Sequence, residues 1–151
     1  MIFQTLSCYL AIAAFKILLL FLGFEGGRGS EVKFNEPYGC TAYGANIAIA
    51  DSGNKAIRSF ATNSSAVTTI IEFYVIHHQA YDDNAPKFVE AINSTHLLVV
   101  FHLGKARLIN TTSGNVAASI SIAPYSHVSS YTRCDLGLIS IARKNSVHLR
   151  K

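Results

Sequence analysis

The sequence predicts an all-β chain, and three observations predict it. After residue 30 the apolar runs are short and rich in β-branched residues. Gly, Asn, Ser and Asp interrupt them at short intervals, which is the spacing of hairpin turns. The pattern of strand and turn also recurs along the chain at intervals of about 40 to 50 residues, the period of an array of small sheets. Its 151 residues are half hydrophobic and 15% charged, enough to bury a core in one domain and too apolar for a disordered chain.

The elements follow in order. Residues 9–24, YLAIAAFKILLLFLGF, are apolar except for Lys16, and predict an N-terminal hydrophobic helix. Residues 1–24 therefore read as a signal peptide. The alternative is an uncleaved signal anchor, which would span a membrane only if counted from Ile2. Lys16 would cost about 3 kcal/mol at the centre of such a span. Residues 25–33 read as a polar, Gly-rich linker, and residues 34–151 as the repeat domain.

Within that domain, runs near Ile47–Ala50, Ala56–Phe60 and Val67–Ile76 fit strands. So do Phe88–Ile92, Leu97–His102, Ala106–Ile109 and Val116–Ile122, then His127–Tyr131, Leu138–Ala142 and Val147–Leu149. The stretch from Leu97 to Phe101 is apolar throughout, which predicts a strand buried on both faces. Residues 46–56 are echoed by residues 96–106, with Lys55 and Lys105 at matching positions, and a third copy begins at Leu138.

The first copy carries a more specific pattern. Pro37-Tyr38-Gly39-Cys40-Thr41-Ala42 is followed by Asn46-Ile47-Ala48-Ile49-Ala50-Asp51-Ser52-Gly53-Asn54-Lys55-Ala56-Ile57. This resembles an NHL-type β-propeller repeat. The resemblance implies a partial propeller of about two and a half four-stranded blades, fewer than the about four to eight that close a ring. Copies of the chain completing a ring, or sheets packing as a β-sandwich, are the alternatives. In such a blade, Pro-x-Gly starts the inner strand, Ile47 and Ile49 are expected to pack between blades, and residues 51–54 to form a tight turn. Its glycine and asparagine, Gly53 and Asn54, tolerate positive φ. Asp51 is expected to organise that turn through side-chain to backbone bonds rather than to act as an acid.

Export is supported separately. Asn63-Ser64-Ser65, Asn93-Ser94-Thr95 and Asn110-Thr111-Thr112 are N-glycosylation acceptors. With Cys8 removed in a leader, Cys40 and Cys134 remain as a disulfide candidate. That bond would close a loop of about 94 residues and contribute about 4 to 5 kcal/mol in the chain-entropy account.

Chemistry is sparse. The densest polar cluster is His77, His78, Asp82 and Asp83, in a stretch expected to connect two blades. Adjacent histidines on an extended chain point to opposite sides, so the cluster reads as a solvated, partner-binding loop and not as a metal site. His96 and His102 share a strand face but stand about 20 Å apart, too far for one ion. No nucleophile elbow, phosphate loop, zinc-protease helix or paired Cys-x-x-Cys is present. Neither catalytic residues nor a metal or cofactor is expected.

The net charge of +4 is concentrated in Arg143, Lys144, Arg150 and Lys151, which argues against a nucleic-acid stripe. The expected function is a secreted, glycosylated, non-enzymatic module that binds an extracellular protein or glycan through propeller loops. A membrane is involved only if the N-terminal segment is an anchor. Part of a metal-dependent propeller lyase or lactonase, or a truncated product with no independent function, are the alternatives.

Overall fold

The computed structural model describes residues 23–73, 84–101, 104–121, 128–133, 139–143 and 146–149. The hydrophobic segment before residue 23 lies outside them. Among the described residues, no helix is long and apolar enough to cross a membrane.

The chain is all-β, as expected, and consists of consecutive antiparallel meanders. The first sheet contains β1 (Gly27–Arg28), β2 (Pro37–Tyr43), β3 (Asn46–Asp51), β4 (Ala56–Ala61) and β5 (Ala66–Glu72), in the order β1-β5-β4-β3-β2. The second contains β6 (Pro86–Ala91), β7 (His96–Phe101), β8 (Lys105–Asn110) and β9 (Val116–Ser121), in sequence order. The third has β10 (Val128–Arg133), β11 (Ile139–Arg143) and β12 (Ser146–Leu149). Apart from β1, which pairs with β5 at the edge of the first sheet, each strand pairs with its neighbours in sequence because short polar turns join antiparallel strands directly.

The first two sheets stack as blades. Tyr43, Ala48, Ala50 and Ile57 of blade one meet Val89, Leu97, Val99, Phe101 and Ile109 of blade two, with Phe73 between them. Strand β7 alternates. Leu97, Val99 and Phe101 face blade one, while Leu98 and Val100 pack with Ala106 and Phe88 on the other side. All five are at most 6% exposed, which explains the unbroken apolar run.

The expected roles of Ile47 and Ile49 are corrected here. The small residues Ala48 and Ala50 face blade two, leaving room for Val99 and Phe101. Ile47 and Ile49 point the other way, to a cluster with Val67, Val32 and Phe34. Strand alternation separates these two sets onto opposite faces, but it does not say which face meets the neighbour.

Val32 and Phe34 are each 5% exposed. The stretch 25–33, read from sequence as a linker, therefore lies against blade one. Gly27 and Arg28 pair with Val67 and Ala66 on the sheet edge, and Lys33 N–H donates to the Glu25 carbonyl. From that edge the chain crosses the blade face to reach β2. It covers apolar side chains that would otherwise be open to water.

The inner strands β2 and β6 run side by side in the same direction. Gly39 lies against the Lys87 carbonyl and Phe88 Cα, and Thr41 Oγ accepts from Ala91 N–H at 3.4 Å. A Cβ at Gly39 would lie 2.8 Å from the Lys87 oxygen, a backbone atom that cannot rotate away. Gly39→Ala should therefore separate the inner strands and cost about 1–3 kcal/mol, as overpacking does. Urea unfolding would show this as a lower midpoint, and an unchanged midpoint would mean that the two blades do not meet at Gly39.

Candidate functional site

The densest polar network among the described residues is centred on the turn between β3 and β4. Ser52–Asn54 form one 3₁₀ turn, closed by Lys55 N–H donating to the Ser52 carbonyl at 3.1 Å. The left-handed residue is Lys55, with φ 54°, rather than Gly53 or Asn54. Glycine at 53 answers a different need, since its N–H donates to the Asn35 carbonyl at 2.8 Å and its α-carbon lies against the Asn35 side chain.

Asp51 enters this turn with no exposed surface. One carboxylate oxygen accepts from Asn35 N–H at 2.8 Å. The other accepts from Asn54 Nδ2 at 2.8 Å and from Arg58 Nη1 at 3.3 Å. The bond to Asn35 reaches beyond the hairpin to the segment before β2, and the bond to Arg58 crosses to β4 within it. Asn54 Nδ2 also donates to the Gly23 carbonyl at 2.7 Å. Ser52 Oγ donates to the carbonyl of Pro86, at the start of blade two. One turn thus joins the N-terminal segment, blade one and blade two.

Arg58 is 1% exposed. Its Nη2 donates to the Glu25 carbonyl at 3.1 Å, and its guanidinium lies 4.7 Å from the Phe24 ring centre and 5.5 Å from that of Phe34. Among the described residues, Arg58 Nε is a buried side-chain nitrogen without a hydrogen-bond acceptor. Planar stacking on aromatic rings suits a guanidinium held away from water.

Blade two repeats the arrangement without the carboxylate. Arg58 pairs across the sheet with Ile49, and Arg107 pairs with Val99, so the two arginines occupy equivalent positions. Phe101 stands where Asp51 stands in blade one. The Arg107 guanidinium lies 4.9 Å from Phe101 and 5.3 Å from Phe73, and its Nη2 donates to Asn84 Oδ1 at 3.3 Å. Phe73 does in blade two what Phe24 does in blade one. Sequence reasoning missed both arginines. The available signal was a single Arg inside each of two matching apolar strands, with Phe24 and Phe73 upstream at the same separation.

This network is structural. Burial pushes the Asp51 carboxyl above the ordinary aspartate value, while Asn54, the Asn35 N–H and Arg58 pull it back only in part. A fully buried carboxylate with its oxygens occupied meets no substrate, in agreement with the reading of Asp51 as a turn organiser.

The other sequence candidates are distributed as follows. His77, His78, Asp82, Asp83, His102 and Cys134 lie outside the described residues. The connection that carries the first four starts and ends beside the β3–β4 turn. Phe73 N–H donates to the Lys55 carbonyl at 2.8 Å, and Pro86 accepts from Ser52. Cys40, on β2, takes part in a disulfide whose partner is outside the described residues. Among the described residues, no group of three or more His, Cys, Asp or Glu side chains is placed to hold a metal.

The three acceptor triplets lie at the connections between strands. Asn63 lies between β4 and β5 and is exposed, as is Asn93 between β6 and β7. Asn110, at the end of β8, is half-buried. Asn93 Oδ1 accepts from Thr95 N–H at 2.9 Å and from Thr95 Oγ at 3.0 Å. Asn110 Oδ1 accepts from the N–H groups of Thr112 and Ser113, at 2.9 and 3.0 Å. His96 Nδ1 sits 3.0 Å from Thr95 Oγ, and so serves the turn.

No family model matches the chain, and no curated protein matches it. Solved structures do. The WD40 β-propeller domain of Doa1 superposes with a TM-score of 0.57 at 15% identity, over 76% of this chain and 36% of that one. A protein of unknown function from Bacteroides thetaiotaomicron gives 0.56 at 13% identity, over 82% of this chain and 30% of that one. An extracellular domain of a one-component system from the same organism gives 0.50 at 20% identity, over 70% of this chain and 13% of that one. The likeness establishes a propeller-type fold. The chain spans about a third or less of each of these proteins.

The raised Asp51 value sets a sign for pH dependence. The folded state holds this proton more tightly than the unfolded chain, so this group's contribution to stability falls as pH rises through the window above the ordinary aspartate value. Asp51→Asn removes the contribution. The stability difference between the native chain and this variant, measured by urea unfolding, should move in favour of the native chain as pH is lowered through that window. Movement in the opposite direction would show that Arg58 outweighs burial.

Proposed function

We propose that the chain is a secreted, glycosylated, non-enzymatic interaction module. In this reading it binds an extracellular protein or glycan through the loops of an incomplete, NHL-type β-propeller. The observation that carries the reading is the placement of the acceptor triplets. All three triplets fall at connections between strands, with Asn63 and Asn93 exposed and Asn110 half-buried at the end of β8, where a glycan can be attached outside the core. The Asp51-Ser52-Gly53-Asn54 turn and the Pro-x-Gly strand start of blade one agree with the NHL-type pattern. Function then falls to the loops, because the strands and their buried polar groups are occupied with holding the blades together.

The cysteines suit an oxidising compartment. Cys40 pairs with Cys134 in this proposal, and Cys8 leaves with the leader. One assembly has a specific constraint. Ile47 and Ile49, on the outer face of blade one, are covered by Val32 and Phe34 of the same chain. A second copy completing a ring on that side must first displace them.

The test is expression of the full chain with its own N-terminal segment in cells with a eukaryotic secretory pathway. The protein should appear in the medium and lose mass when its N-glycans are removed enzymatically. Recovery only from the cytosol, unmodified, would overturn the proposal.

A further inference from the structure

The three acceptor asparagines share one end of the first two blades, and this follows from topology. Within a four-stranded meander the first and third turns lie at one end and the second at the other. Asn63 is in the third turn of blade one, Asn93 in the first turn of blade two, and Asn110 in its third. Hydrogen bonds confirm the grouping inside each blade. Thr62 N–H donates to the Ala45 carbonyl at 3.3 Å, and Thr111 N–H to the Thr95 carbonyl at 2.9 Å. The parallel inner strands bring the two groups to the same side, since Gly39 meets Lys87 and Phe88, and Thr41 meets Ala91. These are the only three Asn-x-Ser/Thr triplets in the whole chain.

A second observation points to what sits there. Ile92 and Val116 are 38% and 43% exposed. Ile92 immediately precedes Asn93, and Val116 closes the turn that begins at Asn110. Exposed isoleucine and valine beside acceptor sites match the apolar faces of the first sugar rings, which would cover them. The turn bonds use the amide oxygens of Asn93 and Asn110, and modification takes place at the nitrogen.

Resting on the secreted reading above, we propose that N-linked glycans at Asn63, Asn93 and Asn110 form a one-sided shield. The shield covers Ile92 and Val116 and confines the approach of a protein partner to the opposite end. In each attachment, the amide Nδ2 displaces the lipid pyrophosphate, as one leaving group, from the anomeric carbon of a lipid-pyrophosphate-linked oligosaccharide. A C–N bond forms, a C–O bond breaks, and Nδ2 gives up one proton. The bare end carries the β3–β4 turn, both ends of the connection between residues 73 and 84, and Tyr38, which is 55% exposed.

The experiment is glycopeptide mapping of the secreted full chain, followed by hydroxyl-radical labelling before and after enzymatic removal of the glycans. Deglycosylation in oxygen-18 water should convert Asn63, Asn93 and Asn110 to Asp that carries one oxygen-18 atom in its carboxyl group. Labelling of Ile92 and Val116 should rise, and that of Tyr38 should stay unchanged. A secreted chain with any of the three sites unmodified overturns the shield and leaves the secreted reading intact. An equal rise at Tyr38 overturns its one-sidedness. A chain absent from the medium overturns both readings. Asn93→Gln, which keeps an amide in the turn, serves as a control. It should remove the mark at position 93 and expose Ile92 alone, whereas exposure of Val116 as well would contradict site-by-site cover.

Discussion

A carboxylate and a guanidinium, both withdrawn from water, sit where three parts of this chain meet. Asp51 and Arg58 are 3.3 Å apart. Around them converge the N-terminal segment through Gly23, Glu25 and Asn35, blade one through β3 and β4, and blade two through Pro86. Burying two charges is expensive, and their attraction repays the cost only when their remaining hydrogen-bonding capacity is also met. Here Asn35, Asn54, the Glu25 carbonyl and two aromatic rings meet most of it. The segment before β2 must therefore be in place for the pair to be tolerable, and that segment also brings Val32 and Phe34 over Ile47 and Ile49. Polar satisfaction and apolar cover depend on the same few residues.

Blade two shows what happens when one member changes. With Phe101 in place of the carboxylate, Arg107 is half-buried, lies between aromatic rings and finds a neutral acceptor in Asn84. The guanidinium position is kept and its compensation differs. An arginine can be held by an ion pair or by ring faces, so a degenerate repeat can preserve blade geometry while losing the Asp-Ser-Gly-Asn turn. This also explains why internal similarity fades after the first copy although the strands continue in the same order.

Much of this was legible in the sequence where the cause is local. The run from Leu97 to Phe101 identified a strand buried on both faces, because no polar residue interrupts it. The turn at Asp51 was recognisable from its residue types, and the acceptor triplets were found in turns. What was not legible depends on distant partners. The bonds from Asp51 to Asn35 and from Asn54 to Gly23 cross 16 and 31 positions, so no short window contains them. Residues 25–33 looked like a linker because they are rich in glycine and charge. The two apolar side chains that dock this region gain their meaning only from the open face of blade one. Positive φ fell on Lys55 because a 3₁₀ turn places its left-handed residue after the turn.

The central claim is that Asp51 and Arg58 act as one unit, and a double-mutant cycle in urea unfolding tests it most directly. Asp51→Asn and Arg58→Met each leave an uncompensated buried group and should cost about 3–5 kcal/mol. The account predicts that the double variant loses less than the sum of the two, with a coupling above about 1 kcal/mol. Strict additivity would contradict it, because the two side chains would then be contributing independently and the turn would not be the joint on which the blades and the N-terminal segment depend.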